Sequence, residues 1–175
     1  MMRLIALLLS ATAARAEPML TLDFSDPTRW SYVSDRVMGG VSDGGASLLS
    51  EDGQSFARLA GEVSTANNGG FIQIRTALPG LPEGTTALRL TVRGNGETYA
   101  VHLRTRGIRA PWLYHAASFT APADWTTIDL PLAGFSSERL PGPPLPEEVT
   151  SLGIVAYGAD YTARLDIARI EAVTD

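Results

Sequence analysis

Apolar and polar residues alternate along several short stretches of the chain. The alternation is clearest at residues 20–24, 88–93 and 101–104, and strand-length runs of β-forming residues occur at 71–75, 125–130, 151–156 and 163–170. A period of two places successive side chains on opposite faces of a strand. Gly, Pro, Asn and Asp clusters separate these runs, and no stretch carries a helix-length apolar stripe. About ten short strands joined by turns predict an all-β fold, an antiparallel β-sandwich or jelly roll.

The same alternation predicts which side chains point outward. With the apolar residues inward, the outward set is Gln73, Arg75, Arg89, Thr91, Arg93, His102 and Arg104. If these strands share one sheet, its outer face is locally basic and attracts an anionic sugar or an acidic protein segment. A solvated face with scattered ion pairs is the simpler interpretation, since charged residues are mostly exposed.

The first residues have the pattern of a secretory signal peptide. Arg3 precedes an apolar run at residues 4–14, and Ala14-Arg15-Ala16 is a small-x-small cleavage site. The run is shorter than the roughly 20 residues that span a bilayer. We therefore expect residues 1–16 to be removed, leaving a single domain over residues 17–175. That domain is expected to be exported to a bacterial periplasm with no transmembrane segment.

Composition excludes several kinds of chemistry. The chain has no cysteine, so it has no disulfide, thiol nucleophile or thiolate metal site. All 14 basic residues are arginine, which removes lysine Schiff-base chemistry. With 19 acidic residues the formal net charge is −5, so nucleic acid is a poor candidate ligand.

Two Gly-Gly pairs with polar residues before them mark candidate binding loops. Asp35 and Arg36 precede Gly39-Gly40. Asp35 could bind a ligand hydroxyl, but a turn-capping carboxylate is the more common role of an aspartate in such a position.

The second pair, Gly69-Gly70, follows Asn67 and Asn68. Their amides could bind sugar hydroxyls, although Asn-Gly is also a strong hairpin signal, and we favour the hairpin. A rim shared by the two Gly-Gly loops is the first place to expect a ligand.

Aromatic residues supply the remaining binding candidate. Trp112 lies in the most loop-like context of the three tryptophans and could stack on a sugar ring, although packing is the more frequent role of such rings. The full set of candidate ligand-binding residues is Asp35, Arg36, Asn67, Asn68, Arg75, His102, Arg104 and Trp112.

The sequence contains no catalytic motif. His102 and His115 are the only histidines, and there is neither a Gly-x-Ser-x-Gly elbow nor a His-Glu-x-x-His motif. An enzyme is not expected, and a glycosidase-like carboxylate pair is the minor alternative. No cofactor or metal site is predicted; a structural calcium ion held by carboxylates and carbonyls remains an open alternative.

Several blocks of the chain resemble the complex I intermediate-associated protein family. They are residues 30–42, Phe56, 61–64, 67–71 with Arg75, 99–104, 125–132, Phe135 and 152–154, in the expected order. The resemblance implies a galactose-binding-like jelly roll, shared with carbohydrate-binding modules, and the non-catalytic assembly-factor role of the mitochondrial members. Those members act on the matrix side, whereas the leader of this chain predicts export.

We therefore predict a non-catalytic exported binding or assembly-type module. The first hypothesis is a protein-interaction role, and the alternative is a carbohydrate-binding module of the periplasm. The sequence makes no prediction of oligomeric state.

Overall fold

The computed structural model describes residues 19–174, which form eleven β-strands joined by loops and short 3₁₀ turns. The predicted signal peptide lies outside the described residues. The strands are β1 Leu20–Leu22, β2 Ser31–Ser34, β3 Asp43–Glu51, β4 Gln54–Val63, β5 Phe71–Ala77, β6 Ala87–Gly94, β7 Thr98–Thr105, β8 His115–Thr120, β9 Thr126–Pro131, β10 Val149–Tyr157 and β11 Tyr161–Val173. The 3₁₀ turns are Pro27–Arg29, Asp35–Met38, Ala66–Asn68, Leu132–Gly134 and Pro146–Glu148. Within residues 19–174, no helix has the length and apolar character needed to cross a membrane.

The strands form two antiparallel sheets that pack as a sandwich, as the alternation predicted. The six-stranded sheet has the order β3-β4-β11-β6-β9, and the short β1 pairs with the far end of β11. The five-stranded sheet has the order β2-β5-β10-β7-β8. The connection from β4 to β5 therefore passes from one sheet to the other.

The core lies between the sheets and is built by the apolar half of each alternating strand. Leu152 and Ile154 of β10 face Leu165 and Ile167 of β11 across this core, and all four are fully buried. Burying a side chain of this size contributes about 1.5–3 kcal/mol. The pairing of β11 with β6 shifts register between Ile167 and Arg169, a β-bulge.

The β3–β4 hairpin turns at Asp52-Gly53. Both residues have positive φ, 50° and 79°, as a two-residue primed turn requires. Glu51 and Gln54 pair directly on either side. The alternation of apolar residues did not reveal β3, because eight of its nine residues are exposed and it has no buried face.

The hairpin predicted at Asn67-Asn68-Gly69-Gly70 is wrong. The strands on either side, β4 and β5, belong to different sheets. Asn67 and Asn68 instead adopt left-handed backbone conformations, with φ of 57° and 56°. Asparagine tolerates this region better than most residues. The Asn-Gly signal therefore marks a change of chain direction between sheets.

The prediction of a single basic face is also wrong, because the residues of that face divide between the two sheets. Gln73, Arg75, His102 and Arg104 lie on β5 and β7 of the five-stranded sheet. Arg89, Thr91 and Arg93 lie on β6, which pairs with β9 and β11 in the other sheet. The two groups therefore occupy opposite outer surfaces of the sandwich.

Candidate functional site

One row of residues crosses the outer face of the five-stranded sheet in register. The row consists of Ser31, Arg75, Gly153, His102 and Ala116, one from each strand. Its neighbours along the strands, such as Ile74 and Ile154, are buried in the core, so the row faces outward. Gly153 at its centre leaves room for Gln73, whose Oε1 would lie 2.9 Å from a Cβ at this position.

His102 belongs to an aromatic layer on this face. Its ring stacks on Tyr114, with centroids 3.8 Å apart and planes 11° from parallel, and meets Tyr157 edge-on at 5.1 Å. Burial lowers the pKa of His102 to about 4, so the imidazole is neutral at physiological pH. Its Nε2 is buried without a hydrogen-bond partner among residues 19–174.

Arg104 shapes the loop between β7 and β8. Its Nη2 donates to the carbonyl oxygens of Ile108 at 3.4 Å and Ala110 at 3.1 Å. The same loop carries Trp112, which is 66% exposed, and Tyr114. Arg104 therefore holds the segment that presents these two rings.

The groups left exposed on this face combine aromatic surface with unpaired polar atoms. Trp112 and Tyr157 are the exposed rings. Arg75 is exposed, Gln73 is half-buried, and neither side chain makes a hydrogen bond to any part of the chain that the structure describes. Such a surface can stack on an apolar ring face while donating hydrogen bonds to hydroxyls. We refer to Gln73, Arg75, Trp112 and Tyr157, with His102 beneath them, as the mixed face.

The two Gly-Gly loops meet at the buried carboxylate of Asp35. Its Oδ1 accepts from the Ser42 backbone N at 3.0 Å. Its Oδ2 accepts from the Ser42 hydroxyl and the Gly70 N, both at 2.5 Å, and from the Phe71 N at 3.3 Å. A single side chain thus joins the loop after β2 to the loop before β5.

The glycines beside Asp35 make this arrangement possible. A Cβ at Gly40 or at Gly69 would overlap the Asp35 carboxyl group. Burial acts to raise the pKa of Asp35, but the hydrogen bonds from Ser42, Gly70 and Phe71 outweigh it and keep the pKa below its usual value. Asp35 is therefore a buried anion whose two carboxylate oxygens both accept hydrogen bonds from the two Gly-Gly loops. The ligand contact predicted for it does not fit this geometry.

The remaining residues of the rim are exposed. Arg36 donates from Nε to the Ser42 carbonyl at 3.1 Å and pairs with Asp43 at 3.2 Å. Asn67 reaches the Gly39 carbonyl at 3.5 Å, and Asn68 lies exposed beside it. The rim therefore brings four of the predicted residues together, Asp35, Arg36, Asn67 and Asn68, with Asp35 beneath its surface.

The rim also presents apolar side chains that sequence reasoning did not single out. Val37 is 75% exposed, Met38 is 63% exposed, and Val41 is 46% exposed. Each lies within the stretch between Asp35 and Ser42, whose two ends are joined by the Asp35 hydrogen bonds. A valine at a turn gives no sequence signal of exposure, because apolar residues are ordinarily expected inside.

The other two tryptophans have packing roles. Trp30 lies against Phe24, with ring centroids 4.5 Å apart, and donates from Nε1 to the Asp23 carbonyl at 3.0 Å. Trp125 meets Phe56 edge-on at 5.5 Å. Trp112 is thus the tryptophan available to a ligand, in agreement with its loop context. Among the described residues, no cluster of three or more His, Asp or Glu side chains is placed to hold a metal ion.

The sequence profile of the complex I intermediate-associated protein 30 family matches residues 22–163. The chain belongs to this family. A search of curated protein sequences found no match.

Solved structures similar to this family member include carbohydrate-binding modules. A family 11 module from Clostridium thermocellum, in complex with a β-1,3-1,4-mixed-linked tetrasaccharide, has a TM-score of 0.72 at 15% identity, covering 93% of this chain and 98% of that one. A family 30 module from a Clostridium thermocellum cellulosomal cellulase has a TM-score of 0.58 at 14% identity, covering 90% and 99%. An exo-β-agarase has a TM-score of 0.55 at 10% identity, covering 86% of this chain and 25% of that one. At these identities the likeness shows the fold alone.

In this member of the complex I intermediate-associated protein 30 family, the block at residues 30–42 has a structural role. Its Asp35 joins the loop after β2 to the loop before β5. Asp35, Gly40 and Ser42 are needed together because the carboxylate occupies the space that a side chain at position 40 would fill. The exposed residues of the block and the mixed face are then two surfaces available for binding.

Proposed function

We propose that the chain is a non-catalytic glycan-binding module that binds its ligand on the mixed face. The observation that carries this proposal is the pairing of exposed aromatic rings, Trp112 and Tyr157, with the unpaired polar groups of Arg75 and Gln73. Sugars offer both an apolar ring face and hydroxyls, so a binding surface needs both kinds of contact. This reverses the order of the two hypotheses drawn from the sequence.

The structural neighbours support the choice of ligand class. The family 11 module was solved with a mixed-linked tetrasaccharide. That oligosaccharide is a reasonable first probe, since the two folds superpose over nearly the full length of both chains.

The test is calorimetric titration of the purified chain with this tetrasaccharide, followed by a panel of neutral and acidic glycans. Trp112→Ala and Arg75→Gln should each weaken binding about tenfold, which corresponds to about 1.4 kcal/mol. Arg139→Gln, at an exposed loop arginine, changes the net charge equally and should bind as the wild type does. Failure of every glycan to bind would overturn the proposal, and release of reducing ends from a glycan would contradict its non-catalytic part.

The exposed apolar side chains of the rim favour protein interaction as a second candidate function. Val37 and Met38 project from a loop fixed by Asp35, and exposed apolar residues on a fixed loop suit an apolar pocket on a partner. A pull-down from native envelope membranes should then recover a protein with the wild type that the Val37→Ser, Met38→Ser double variant does not recover. Identical recovery with both proteins would contradict this candidate.

We also propose that residues 1–16 direct export to the periplasm. The support is the charged start, apolar run and Ala14-Arg15-Ala16 site in the sequence. Mass spectrometry of the periplasmic fraction should find a chain that begins at Glu17. A full-length chain confined to the cytoplasm would contradict the proposal.

A further inference from the structure

The outer face of the six-stranded sheet contains a cavity of about 410 Å³ with an excess of positive charge. Arg58, Arg93 and Arg164 line it, together with Asp166 and Glu51. Three guanidinium groups against two carboxylates is unusual in a chain whose formal net charge is −5. The cavity lies on the opposite surface from the mixed face, so it is a separate feature.

Two of the arginines are held in place by Asp166, which is almost fully buried. Arg58 donates from Nε at 2.6 Å and from Nη2 at 2.8 Å, and Arg93 donates from Nε at 2.8 Å. Burial acts to raise the pKa of Asp166, but the hydrogen bonds and charges of the two arginines outweigh it and keep the pKa below its usual value. Glu51 forms an ion pair with Arg93 on the exposed side, with Nη2 and Oε2 2.6 Å apart.

Aromatic rings give these guanidinium groups a further support. Arg93 lies over Trp125 at 4.7 Å and over Phe56 at 5.1 Å, and Arg58 lies 5.8 Å from the Phe56 ring. Arginine stacks on aromatic faces through its planar group and leaves its in-plane donors free. Both side chains are therefore fixed before any ligand arrives.

Donors remain unused around the cavity. The Nη1 atoms of Arg58 and Arg93 have no acceptor among residues 19–174. Arg164 is exposed, and its side chain has no hydrogen-bond or ion-pair partner in the same part of the chain. Arginine donors arranged around one space match the oxygens of a carboxylate, sulfate or phosphate group.

We propose that this cavity binds an oxyanion, with Arg164 as the arginine that has no competing partner. Arg58 and Arg93 supply the fixed donors. Arg164 adds a third positive charge, so the positive charges of the cavity outnumber its two carboxylates. Glu51 opposes the ligand, since its negative charge lies beside the same arginines. The group recognised is the oxyanion itself, whether it is free or carried by a sugar.

The test is titration of the purified full chain, in low-chloride buffer, with inorganic sulfate, inorganic phosphate and galacturonate. At least one should bind, with an affinity that falls as ionic strength rises. Binding by galacturonate alone would assign a sugar carboxylate, whereas binding by sulfate or phosphate would assign a tetrahedral oxyanion. Absence of binding by all three would overturn the proposal.

Three variants identify the site. Arg164→Gln should weaken binding of the oxyanion about tenfold, a loss of about 1.4 kcal/mol, because it removes a charge-assisted hydrogen bond. Glu51→Gln should strengthen binding of the oxyanion, because it removes a negative charge that repels the ligand. Arg139→Gln, away from the cavity lining, should leave it unchanged. Equal losses for Arg164→Gln and Arg139→Gln would show a nonspecific charge effect and overturn the proposal.

The outcome is independent of glycan binding on the mixed face. Trp112→Ala should leave the oxyanion affinity unchanged, and Arg164→Gln should leave binding of the mixed-linked tetrasaccharide unchanged. Either proposal can therefore fail while the other stands.

Discussion

The carboxylate of Asp35 is ionised although none of its surface is exposed. An isolated charge in such a place is costly, and it persists here because four donors surround it. Ser42 contributes twice and is itself tied to the chain just after β4, since its hydroxyl accepts from the Ser64 backbone N at 3.0 Å. Asp35 therefore joins β2, β4 and β5 at one end of the sandwich.

Replacing Asp35 by Asn should destabilise the chain by about 2–4 kcal/mol, because hydrogen bonds to a charged group are lost and an amide NH₂ then faces buried donors. Urea unfolding followed by tryptophan fluorescence measures the change. Asp43→Asn, at the start of β3, is the matched control. Its ion pair with Arg36 is exposed, so its loss should cost less than about 1 kcal/mol. Equal stabilities for the two variants would contradict the stabilising role of the Asp35 hydrogen bonds.

The tight contact between Gly40 and Asp35 gives a second prediction. Gly40→Ala should cost about 1–3 kcal/mol, because its Cβ overlaps the carboxyl group and the surrounding loop must move. Gly45→Ala is the control, since a Cβ there meets nothing within 4 Å, and its cost should stay within about 0.5 kcal/mol. Thermal unfolding of both variants checks the difference. A neutral Gly40→Ala would show that the carboxylate can relax.

At the scale of elements, the sequence predicts strands that have one buried face and misses those that lack one. Leu165 and Ile167 share a face of β11 as predicted, because both point into the core. β3 has no buried residue, so its sequence carries no alternation. Asn67-Asn68-Gly69 has hairpin chemistry, but strand pairing is decided by tertiary packing. The donors of Asp35 lie 7, 35 and 36 residues away, beyond any local motif.

β7 places His102 where it makes stability depend on pH. Burial lowers the pKa of His102 to about 4, whereas an unfolded histidine titrates near 6.5. Between these values the unfolded chain binds the extra proton, so stability falls as pH is lowered through this window. From pH 7 to pH 4.5, the wild type should lose about 1–3 kcal/mol more than His102→Gln.

Urea midpoints of the two proteins at several pH values measure this difference. Burial also lowers the pKa of His115, and that residue is present in both proteins, so the difference isolates His102. The pKa values of Asp35 and Asp166 are below their usual values, so both remain ionised over most of the window. Parallel pH profiles for the two proteins would show that the imidazole charges without cost.

At the scale of the whole molecule, the two outer faces of the sandwich carry different chemistry. The mixed face combines rings with unpaired donors, while the opposite face combines arginines with the buried carboxylate of Asp166. The sequence listed arginines of both faces together, because alternation assigns a side but not a sheet. His102, Arg75 and Trp112 were nonetheless predicted, since each lies outside the apolar pattern. Tyr157 was not singled out, because it is the last residue of β10 and has no distinctive local signal. Arg164 lies within β11 at an outward position, and the alternation of that strand drew attention only to its apolar side.

The separation of the two faces predicts that their ligands bind independently. The two faces lie on opposite sides of one apolar core. The affinity for the mixed-linked tetrasaccharide, measured with and without saturating sulfate, should therefore agree within about twofold, a coupling below about 0.5 kcal/mol. Sulfate should likewise bind the Trp112→Ala variant as it binds the wild type. A tenfold change in either titration would mean that the two ligands compete for the mixed face or that the sheets shift together. Arg164→Gln separates these cases, because it should remove an effect transmitted from the cavity but leave competition on the mixed face unchanged.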